Sequence, residues 1–242
     1  MAEYQNVFER YEKKYMLDQV QYSLLRQALK EKMQEDQYGL HTIGNIYYDT
    51  EDYELIRTSL EKPIYKEKLR LRSYGTPRKD SVVFVELKKK YAGVVYKRRT
   101  GMELSQAQEY LKKGMRPDTQ EPQILNEIDW FLKQHMVSGK IYIAYDRIAL
   151  AGKEDASLRI TFDRNLRYRK TMLDLSRGDW GHELLEEGKI LMEVKISQAM
   201  PLWLSRQLSK LEIYPVSFSK YGECYRKYLK SDLTAIGGII CA

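Results

Sequence analysis

The 242-residue chain is poor in the residues that build zinc clusters, disulfide frameworks and membrane anchors. It contains only three histidines and two cysteines, Cys224 and Cys241, with no CxxC pair. Neither a zinc site nor a disulfide framework is therefore expected. No apolar run approaches the ~20 residues that a membrane-spanning helix needs, and the N-terminus lacks the apolar segment of a signal peptide. These absences favour the reducing cytoplasm.

Motifs and linkers of several common kinds are also missing. Neither GxxxxGK[ST] nor GxGxxG occurs, so the usual glycine-rich phosphate loops are excluded. No repeat, low-complexity tract or Pro/Gly/Ser-rich linker divides the sequence. We expect a single domain over residues 1–230 and a short tail over residues 231–242.

The charge balance is basic. The net charge is +7 and the pI is about 9.1, which points to a polyanionic partner such as nucleic acid, anionic lipid or a phosphate-rich small molecule. Composition alone does not choose among them. The apolar fraction of 43% is sufficient for a substantial core.

Helix signals occur at five places. Asp18 is predicted to cap the first helix, and Ser105 a second that stops at Gly114. Another helix is expected after Pro122, and Pro201 suits the first position of a fourth. The segment "SKYGECYRKYL" is predicted to form the last helix.

Most of the remaining sequence alternates apolar and polar residues, as strands do. The predicted strands are rich in Val, Ile, Tyr and Phe and are "NIYYD", "KEKLRLRSY", "SVVFVELKKK", "GVVYKRR", "KIYIAYDRIAL", "SLRITFD" and "ILMEVKI". The sequence therefore predicts an α+β protein with a mostly antiparallel sheet and flanking helices.

One face of these strands carries an unusual density of charge. In "KEKLRLRSYG" the period of two places four cations on one face, namely Lys66, Lys68, Arg70 and Arg72. This face is either the solvated side of an open sheet or, if the sheet closes with its apolar side under helices, the lining of an anion-binding lumen. Crowded cations in such a lumen require a bound polyanion or interleaved carboxylates.

The order of the short motifs resembles a known family. The motifs are "RYEKKY", "IYYDT", "KLRLRSYG", "VELKKK", "VYKRR", "YDR", "LRITFD", "MEVK" and "SFSKY". Together they resemble the vacuolar transporter chaperone (VTC) polyphosphate polymerase domain, a member of the triphosphate tunnel metalloenzymes, from about residue 10 to about residue 225. The resemblance implies a closed antiparallel eight-stranded β-barrel tunnel with flanking helices, which binds ATP or polyphosphate with Mn²⁺ or Mg²⁺.

The resemblance also implies roles for individual residues. The catalytic phosphate ligands would be Lys14, Arg70, Arg72, Lys88, Arg147, Arg159 and Lys220. The additional substrate-binding residues would be Lys68, Tyr145, Lys195 and Ser219, and Glu193 would bind the metal. Arg57 and Lys97 are candidate supporting cations. Lys90 stands where the eukaryotic polymerases tend to have a histidine.

Structural roles are open for two of the arginines. Arg147 and Arg159 lie in "YDR" and "LRITFD", so either can instead form an internal salt bridge with Asp146 or Asp163. Both interpretations use the same residue types.

The acidic residues and the last lysine have similar alternatives. Glu193 can pair only with Lys195, and Lys220 can lie in an exposed first helical turn. Glu12 and Glu86 either hold metal and orient water or neutralise neighbouring cations.

Three functional hypotheses remain. The first is an ATP-dependent polyphosphate polymerase, the second a triphosphatase in the same fold, and the third a non-catalytic module that binds polyphosphate, inositol phosphate or nucleic acid. Nucleic acid is disfavoured because the cations alternate with apolar residues within strands. The expected partners are ATP and inorganic polyphosphate, while a membrane partner for the product and the oligomeric state stay open.

Overall fold

The computed structural model describes residues 11–92, 94–118, 121–197 and 199–231. In these ranges the chain forms six α-helices, which are α1 (Gln19–Leu29), α2 (Glu54–Leu60), α3 (Leu104–Lys113), α4 (Pro122–Gln134), α5 (Leu202–Lys210) and α6 (Lys220–Cys224). A π-helical turn, Tyr225–Leu229, continues α6, and a 3₁₀ turn spans Leu175–Arg177. Except for Ser231, the predicted tail lies outside the described residues.

Ten strands occupy much of the rest of the described chain. They are β1 (Tyr11–Leu17), β2 (Met33–Glu35), β3 (His41–Asp49), β4 (Tyr65–Tyr74), β5 (Val82–Tyr91), β6 (Val94–Glu103), β7 (Ser138–Gly152), β8 (Arg159–Arg169), β9 (His182–Glu183) and β10 (Ile190–Ile196). Their order in the sheet is β1-β10-β8-β7-β3-β4-β5-β6, with β2 beside β7 and β9 beside β8. The predicted α+β class with a large antiparallel sheet is confirmed.

The predicted closure into an eight-stranded barrel is not observed. In the described residues the strand order runs from β1 to β6 without a pairing between these two strands. The second edge of β1 is instead used by a later segment: Tyr15 forms a bridge with Pro215, and the Val216 amide donates to the Lys14 carbonyl at 2.7 Å.

The chain divides into two compact units. The first unit comprises Met1–Thr42, Tyr145–Leu166 and Leu185–Phe218, and the second comprises Ile43–Ala144, Arg167–Leu184 and Ser219–Ala242. Strands β3, β7 and β8 contribute residues to both. Each unit is therefore described by itself.

The core of the first unit lies between strands β1, β8 and β10 and helices α1 and α5. The strand residues that face this core are Tyr15, Leu17, Ile160, Phe162, Met192 and Val194, and the helical ones are Leu25, Leu29, Leu204 and Leu208. The apolar alternation predicted for "SLRITFD" and "ILMEVKI" is confirmed. Asp18 caps α1, as predicted, by accepting a hydrogen bond from the Gln21 amide at 2.8 Å.

The core of the second unit lies under helices α3 and α4. The strand residues Leu69, Leu71, Val83, Val85 and Leu87 pack against this helical layer, whose buried residues are Leu104, Ala107, Tyr110, Leu125, Ile128 and Phe131. Since the odd-numbered residues of β4 and β5 are in the core, the even-numbered residues face away from α3 and α4. Most charged side chains of both strands therefore lie on the opposite face of the sheet. The exceptions are Glu67 and Lys89, which pair on the helical side, where Lys89 also pairs with Glu127 of α4.

Several helix boundaries differ from the prediction. Helix α3 begins at Leu104 rather than after Ser105, because the Gln106 side chain accepts from the Glu103 amide. Pro201 precedes α5 as its N-cap. Helix α2 was not predicted, since its amides are capped from outside the helix by the carboxylate of Asp49, which accepts from Ile56 at 3.0 Å. None of the helices in the described ranges has the length and apolarity needed to cross a membrane.

Candidate functional site

A ladder of cations covers the face of the second unit that is opposite to α3 and α4. Its members, which we call the cation ladder, are Lys66, Lys68, Arg70 and Arg72 of β4, Lys88 and Lys90 of β5, and Lys97 and Arg99 of β6, with Glu86 among them. The strand register aligns them in rows, so the predicted placement of the four β4 cations on one face is confirmed.

Two successive rows of the ladder place lysines directly opposite each other. Lys68 lies opposite Lys88, which lies opposite Lys97. In the next row Lys66 lies opposite Lys90, and burial followed by repulsion from Lys90 and Lys62 lowers the pKa of Lys66. Like charges in direct cross-strand positions repel each other, so these rows favour an anionic ligand.

Glu86 is the acidic centre of the ladder. Glu86 is only 1% exposed. Its Oε2 accepts hydrogen bonds from Arg70 Nε at 2.8 Å and from Arg70 Nη2 at 2.6 Å. Lys97 Nζ lies 2.7 Å from Oε1 and Arg72 Nε 3.7 Å from Oε2. Burial by itself would raise the pKa of Glu86, but the three cations hold it well below its usual range. One carboxylate thus faces three cations.

Residues of β3 hold the two arginines in place. Arg72 Nε donates to Asn45 Oδ1 at 2.9 Å, and Asn45 Nδ2 donates to the Ile143 carbonyl at 3.1 Å. Arg70 Nη1 donates to the hydroxyl of Tyr47 at 3.3 Å. Both guanidinium groups are therefore oriented before any ligand arrives, which reduces the entropy lost on binding.

Tyr47 is itself supported from α6. Its ring stacks on Tyr221 with a centroid distance of 5.0 Å. The Tyr221 hydroxyl donates to Asp49 Oδ2 at 2.8 Å, and desolvation followed by this carboxylate raises the pKa of Tyr221. The phenol therefore stays protonated and keeps its donor role at neutral pH.

The start of α6 lies beside the ladder. Ser219 caps the helix by accepting from the Gly222 amide at 3.2 Å, and its Oγ also accepts from Lys68 Nζ at 3.3 Å. Lys220 is only 8% exposed, so its alternative as an exposed first-turn residue is wrong. A Cβ at Gly222 would lie 2.9 Å from Cδ2 of Leu60 and 3.1 Å from Cβ of Ser219, so the chain packs closely at this glycine.

Lys97 gives the ladder a pH dependence near neutrality. Burial and the nearby Arg72 and Arg70 lower its pKa to about 8, although Glu86 opposes the shift. Affinity for a phosphate polyanion such as inorganic triphosphate is expected to be higher below pH 8 and to fall as the pH rises through this value. Because a bound anion raises the pKa of Lys97, binding at about pH 8.5 should also take up protons.

The measurement is isothermal titration calorimetry with inorganic triphosphate in two buffers of different ionisation enthalpy. In Lys97→Arg the guanidinium stays charged, so proton uptake above pH 8 should disappear. Lys153→Arg, on the exposed surface of the first unit, serves as the control. Equal proton uptake by the native protein and Lys97→Arg would contradict the assignment.

The first unit contains a separate charged cluster. Arg147 forms a bidentate salt bridge with Asp163, with Nε–Oδ1 and Nη2–Oδ2 distances of 2.6 and 2.7 Å. Its Nη2 lies 3.6 Å from Glu193 Oε2, and Lys14 Nζ lies 3.6 Å from Glu193 Oε1. Burial would lower the pKa of Arg147, but Asp163, together with Tyr145 and Glu193, raises it well above the usual value. Arg147 is therefore a permanent cation, and its internal pairing with Asp163 is confirmed.

Neighbouring positions in this cluster follow from the register of β1, β10 and β8. Lys14, Glu193 and Thr161 form one row, and Glu12, Lys195 and Arg159 form the next. Glu12 Oε1 lies 3.5 Å from Lys14 Nζ. Glu193 forms ion pairs with Lys14 and Arg147, which is a richer set than the predicted alternative of Lys195 alone.

Two further candidates have distinct surroundings. Tyr145 is buried, and the Arg147 guanidinium lies 5.1 Å from its ring centroid. Arg57 forms an ion pair with Asp52 at the start of α2, on the protein surface.

Comparison with known families identifies the chain. The VTC domain model matches residues 9–229, a range that includes both charged clusters. The chain belongs to the VTC domain family. The resemblance inferred from the short motifs is therefore confirmed. A separate comparison with curated proteins found no match to the chain.

Two solved structures are similar to this VTC domain at low sequence identity. A proposed adenylate cyclase from Bacillus halodurans aligns with a TM-score of 0.56 and 13% identity over 93% of this chain and 100% of the other. A proposed adenylyl cyclase from Hippeastrum, described as having a dominant triphosphatase activity, aligns with a TM-score of 0.49 and 15% identity over 89% of this chain and 94% of the other. The first similarity supports the fold of the VTC domain.

The sequence pattern missed the residues that support the site of the VTC domain. Asn45, Tyr47 and Asp49 occupy alternate positions in "NIYYD", which is the only available signal that they share a face. Nothing in the sequence indicates that Tyr221 stacks on one of them. The role of Glu86 as the common partner of three cations was present only as an alternative.

Proposed function

We propose that this VTC domain is a metal-dependent polyphosphate polymerase that transfers the γ-phosphate of ATP to the end of a growing inorganic polyphosphate chain. The observation that carries the proposal is the arrangement of Glu86, one buried carboxylate facing three cations, next to rows of directly opposed lysines. Rows on one face of a strand repeat about every 7 Å. A chain of phosphates, which also repeats its charge along its length, complements such a ladder better than a single anion.

The residue types suit phosphoryl transfer. This reaction requires in-line positioning and neutralisation of oxygens, with little covalent participation by the protein. A terminal oxygen of the polyphosphate attacks the γ-phosphorus, the bond from this phosphorus to the β,γ-bridging oxygen breaks, and ADP leaves. Arg70 and Arg72 are assigned to bidentate contacts with phosphate oxygens, and Lys68 and Lys88 to neutralisation as point charges.

In the first unit, Lys14, Arg147 and Arg159 are assigned to phosphate contacts, with Lys195 and Tyr145 beside them. In the second unit, Ser219 and Lys220 complete the assigned set. The salt bridge between Arg147 and Asp163 fixes the guanidinium plane. The Nη2 atom of Arg147 also lies near Glu193, which associates this cation with the proposed metal ligand.

A divalent metal fits the oxygen donors around Glu193. Thr161 lies directly opposite Glu193, and its buried Oγ1 has no hydrogen-bond partner in the described part of the chain. Hard oxygen donors suit Mg²⁺ and Mn²⁺. No cluster of three or more His, Cys, Asp and Glu side chains occurs in that part, so Glu193 and Thr161 would share the ion with substrate phosphates. When bound, the ion would neutralise phosphate oxygens.

Hydrolysis of inorganic triphosphate or nucleoside triphosphates is the second candidate. Glu12 favours it, because its carboxylate lies 3.5 Å from Lys14 and is 29% exposed. A carboxylate that is open to solvent next to a phosphate ligand can orient an attacking water. The two reactions differ only in the acceptor of the γ-phosphate.

The deciding experiment incubates the purified protein with ATP and Mn²⁺ and resolves long-chain polyphosphate from orthophosphate. Accumulation of polyphosphate with ADP is the expected result. Orthophosphate alone would replace the polymerase by a triphosphatase, and the absence of both products would leave a binding module.

Replacement of Glu193 tests the metal assignment. In Glu193→Gln, turnover should fall by at least ~100-fold, because the metal loses its anionic ligand while the amide preserves the volume. Affinity for inorganic triphosphate in EDTA should change by less than about threefold, since the cations remain. Product formation measures the turnover, and calorimetry measures the affinity for inorganic triphosphate.

The control for this experiment is Glu187→Gln, which changes an exposed glutamate. A metal concentration series distinguishes the two roles of Glu193. If turnover of Glu193→Gln follows the same Mn²⁺ dependence as the native protein, Glu193 is not a metal ligand.

A further inference from the structure

The cation ladder ends in an aromatic row. Beyond Arg72, the same face of the second unit continues with Tyr74 of β4 and with Phe84 and Val82 of β5. We call Tyr74, Val82 and Phe84 together the aromatic row, a name that covers two successive rows of this face. Phe84 lies directly opposite Arg72, so the change from charged to apolar side chains occurs within a single row.

The residues of the aromatic row contact each other in a defined arrangement and are partly exposed to solvent. The rings of Tyr74 and Phe84 meet edge to face at a centroid distance of 5.8 Å and an angle of 80°. The guanidinium of Arg99 lies 4.8 Å from the Phe84 ring centroid. Tyr74 is 49% exposed and Val82 is 61% exposed. The aromatic row therefore presents apolar and aromatic surface to solvent, with Arg99 of the cation ladder beside it.

Packing in the core does not explain this row. The odd-numbered residues of β5, including Val83 and Val85, fill the core under α3 and α4, whereas Phe84 points to the other face. Gly101 lies opposite Phe84, and a Cβ there would be 3.4 Å from the Phe84 ring. The ring thus lies over bare backbone on the charged face.

We infer that the aromatic row binds the base of a nucleoside triphosphate whose phosphates contact Arg72 and Arg70. This inference rests on the proposed function and extends it to the nucleobase, the part of the substrate that the phosphate-binding residues do not contact. Exposed aromatic rings and arginine planes stack on nucleobases with little base preference. A ligand that contacts the row and the ladder together must join a flat ring to an anionic chain.

The spacing agrees with such a ligand. Residues two apart on a strand face are separated by about 7 Å, so Phe84 is one row and Tyr74 two rows beyond the pair Arg70 and Glu86. A nucleoside triphosphate places a ribose between its phosphates and its base over a comparable interval. Inorganic triphosphate has no group for the row, so the row distinguishes nucleotide from inorganic substrate.

The test compares two probes, β,γ-methylene-ATP and inorganic triphosphate, in EDTA to prevent turnover. Phe84→Leu and Tyr74→Leu remove the rings and keep apolar side chains. Each variant should bind β,γ-methylene-ATP about 10-fold more weakly and inorganic triphosphate within about twofold of the native protein. Calorimetry measures both affinities. The matched control is Tyr91→Leu, which removes an exposed aromatic ring from the opposite face of β5.

The outcomes separate the inference from the function on which it rests. If both probes weaken equally, or if neither weakens, the aromatic row does not bind the base. If the native protein binds neither probe, the phosphate-binding function fails and the inference fails with it. A lower oligomeric mass of the variants in light scattering, with both affinities unchanged, would make the row a contact between protein copies and overturn the inference.

Discussion

Arg70→Ala is expected to lower kcat/KM for ATP by at least ~100-fold, the size of effect seen when an oriented charge donor to the transition state is removed. Arg70 donates two hydrogen bonds to one oxygen of Glu86 and a third to the hydroxyl of Tyr47, so the orientation of its guanidinium is fixed. Glu86 keeps Arg72 and Lys97 as partners in the variant, and the fold should therefore survive. Product formation from ATP measures the loss.

Two further variants make this expectation specific. Arg70→Lys retains the positive charge but lacks the planar guanidinium with its paired donors. Its kcat/KM for ATP should lie between those of the native protein and Arg70→Ala. Arg78→Ala removes an exposed arginine of the β4–β5 loop and should leave activity unchanged. Activity of a folded Arg70→Ala within threefold of native would remove Arg70 from the site.

Glu86→Gln is expected to lower the free energy of unfolding by about 3–5 kcal/mol, because it leaves three cations without their shared buried carboxylate. Urea denaturation measures this loss. Inorganic triphosphate should restore more stability to the variant than to the native protein, because the anion supplies the missing negative charge. The exposed Glu186→Gln provides the control. Equal stabilisation of both proteins by the anion would contradict a ligand-binding role for these cations.

The pH dependence of stability follows from the same carboxylate. The pKa of Glu86 is lower in the folded protein than its ordinary value of 4.5. Its contribution is therefore complete above pH 4.5 and is lost as the pH falls from there toward the depressed folded value. Glu86→Gln should lack this component of the acid transition.

The sequence predicts local alternation well and distant register poorly. The placement of Lys68, Arg70 and Arg72 on one face depends only on the period of two in one strand. The contact of Arg70 with Tyr47 depends instead on the pairing of β3 with β4, across a helix that the sequence did not reveal. Register is fixed by turns and by packing of the whole sheet, which a single segment does not contain.

The same distinction applies to the first unit. The polar face of "LRITFD" was predicted, but the choice between a ligand role and a salt bridge for Arg147 required the position of Asp163 on β8. The closed barrel was implied by the resemblance alone and is not seen in the pairing of the described strands. Motif order identified the family, since it samples nearly the whole chain, whereas hydrogen-bond partners depend on three-dimensional proximity.

The stacking of Tyr221 on Tyr47 has a consequence for protein synthesis. The hydroxyl of Tyr221 binds Asp49 across 172 residues of sequence, and Ser219 binds Lys68 across 151. On the ribosome, strands β3 to β6 emerge long before α6. The contacts that hold Tyr47 beside Arg70 are therefore complete only after α6 has been synthesised. Contacts of such high sequence separation slow folding. A translation product that ends before α6 would carry the cation ladder without the support of Tyr47 by Tyr221, so the final order of Arg70 depends on the late synthesis of α6.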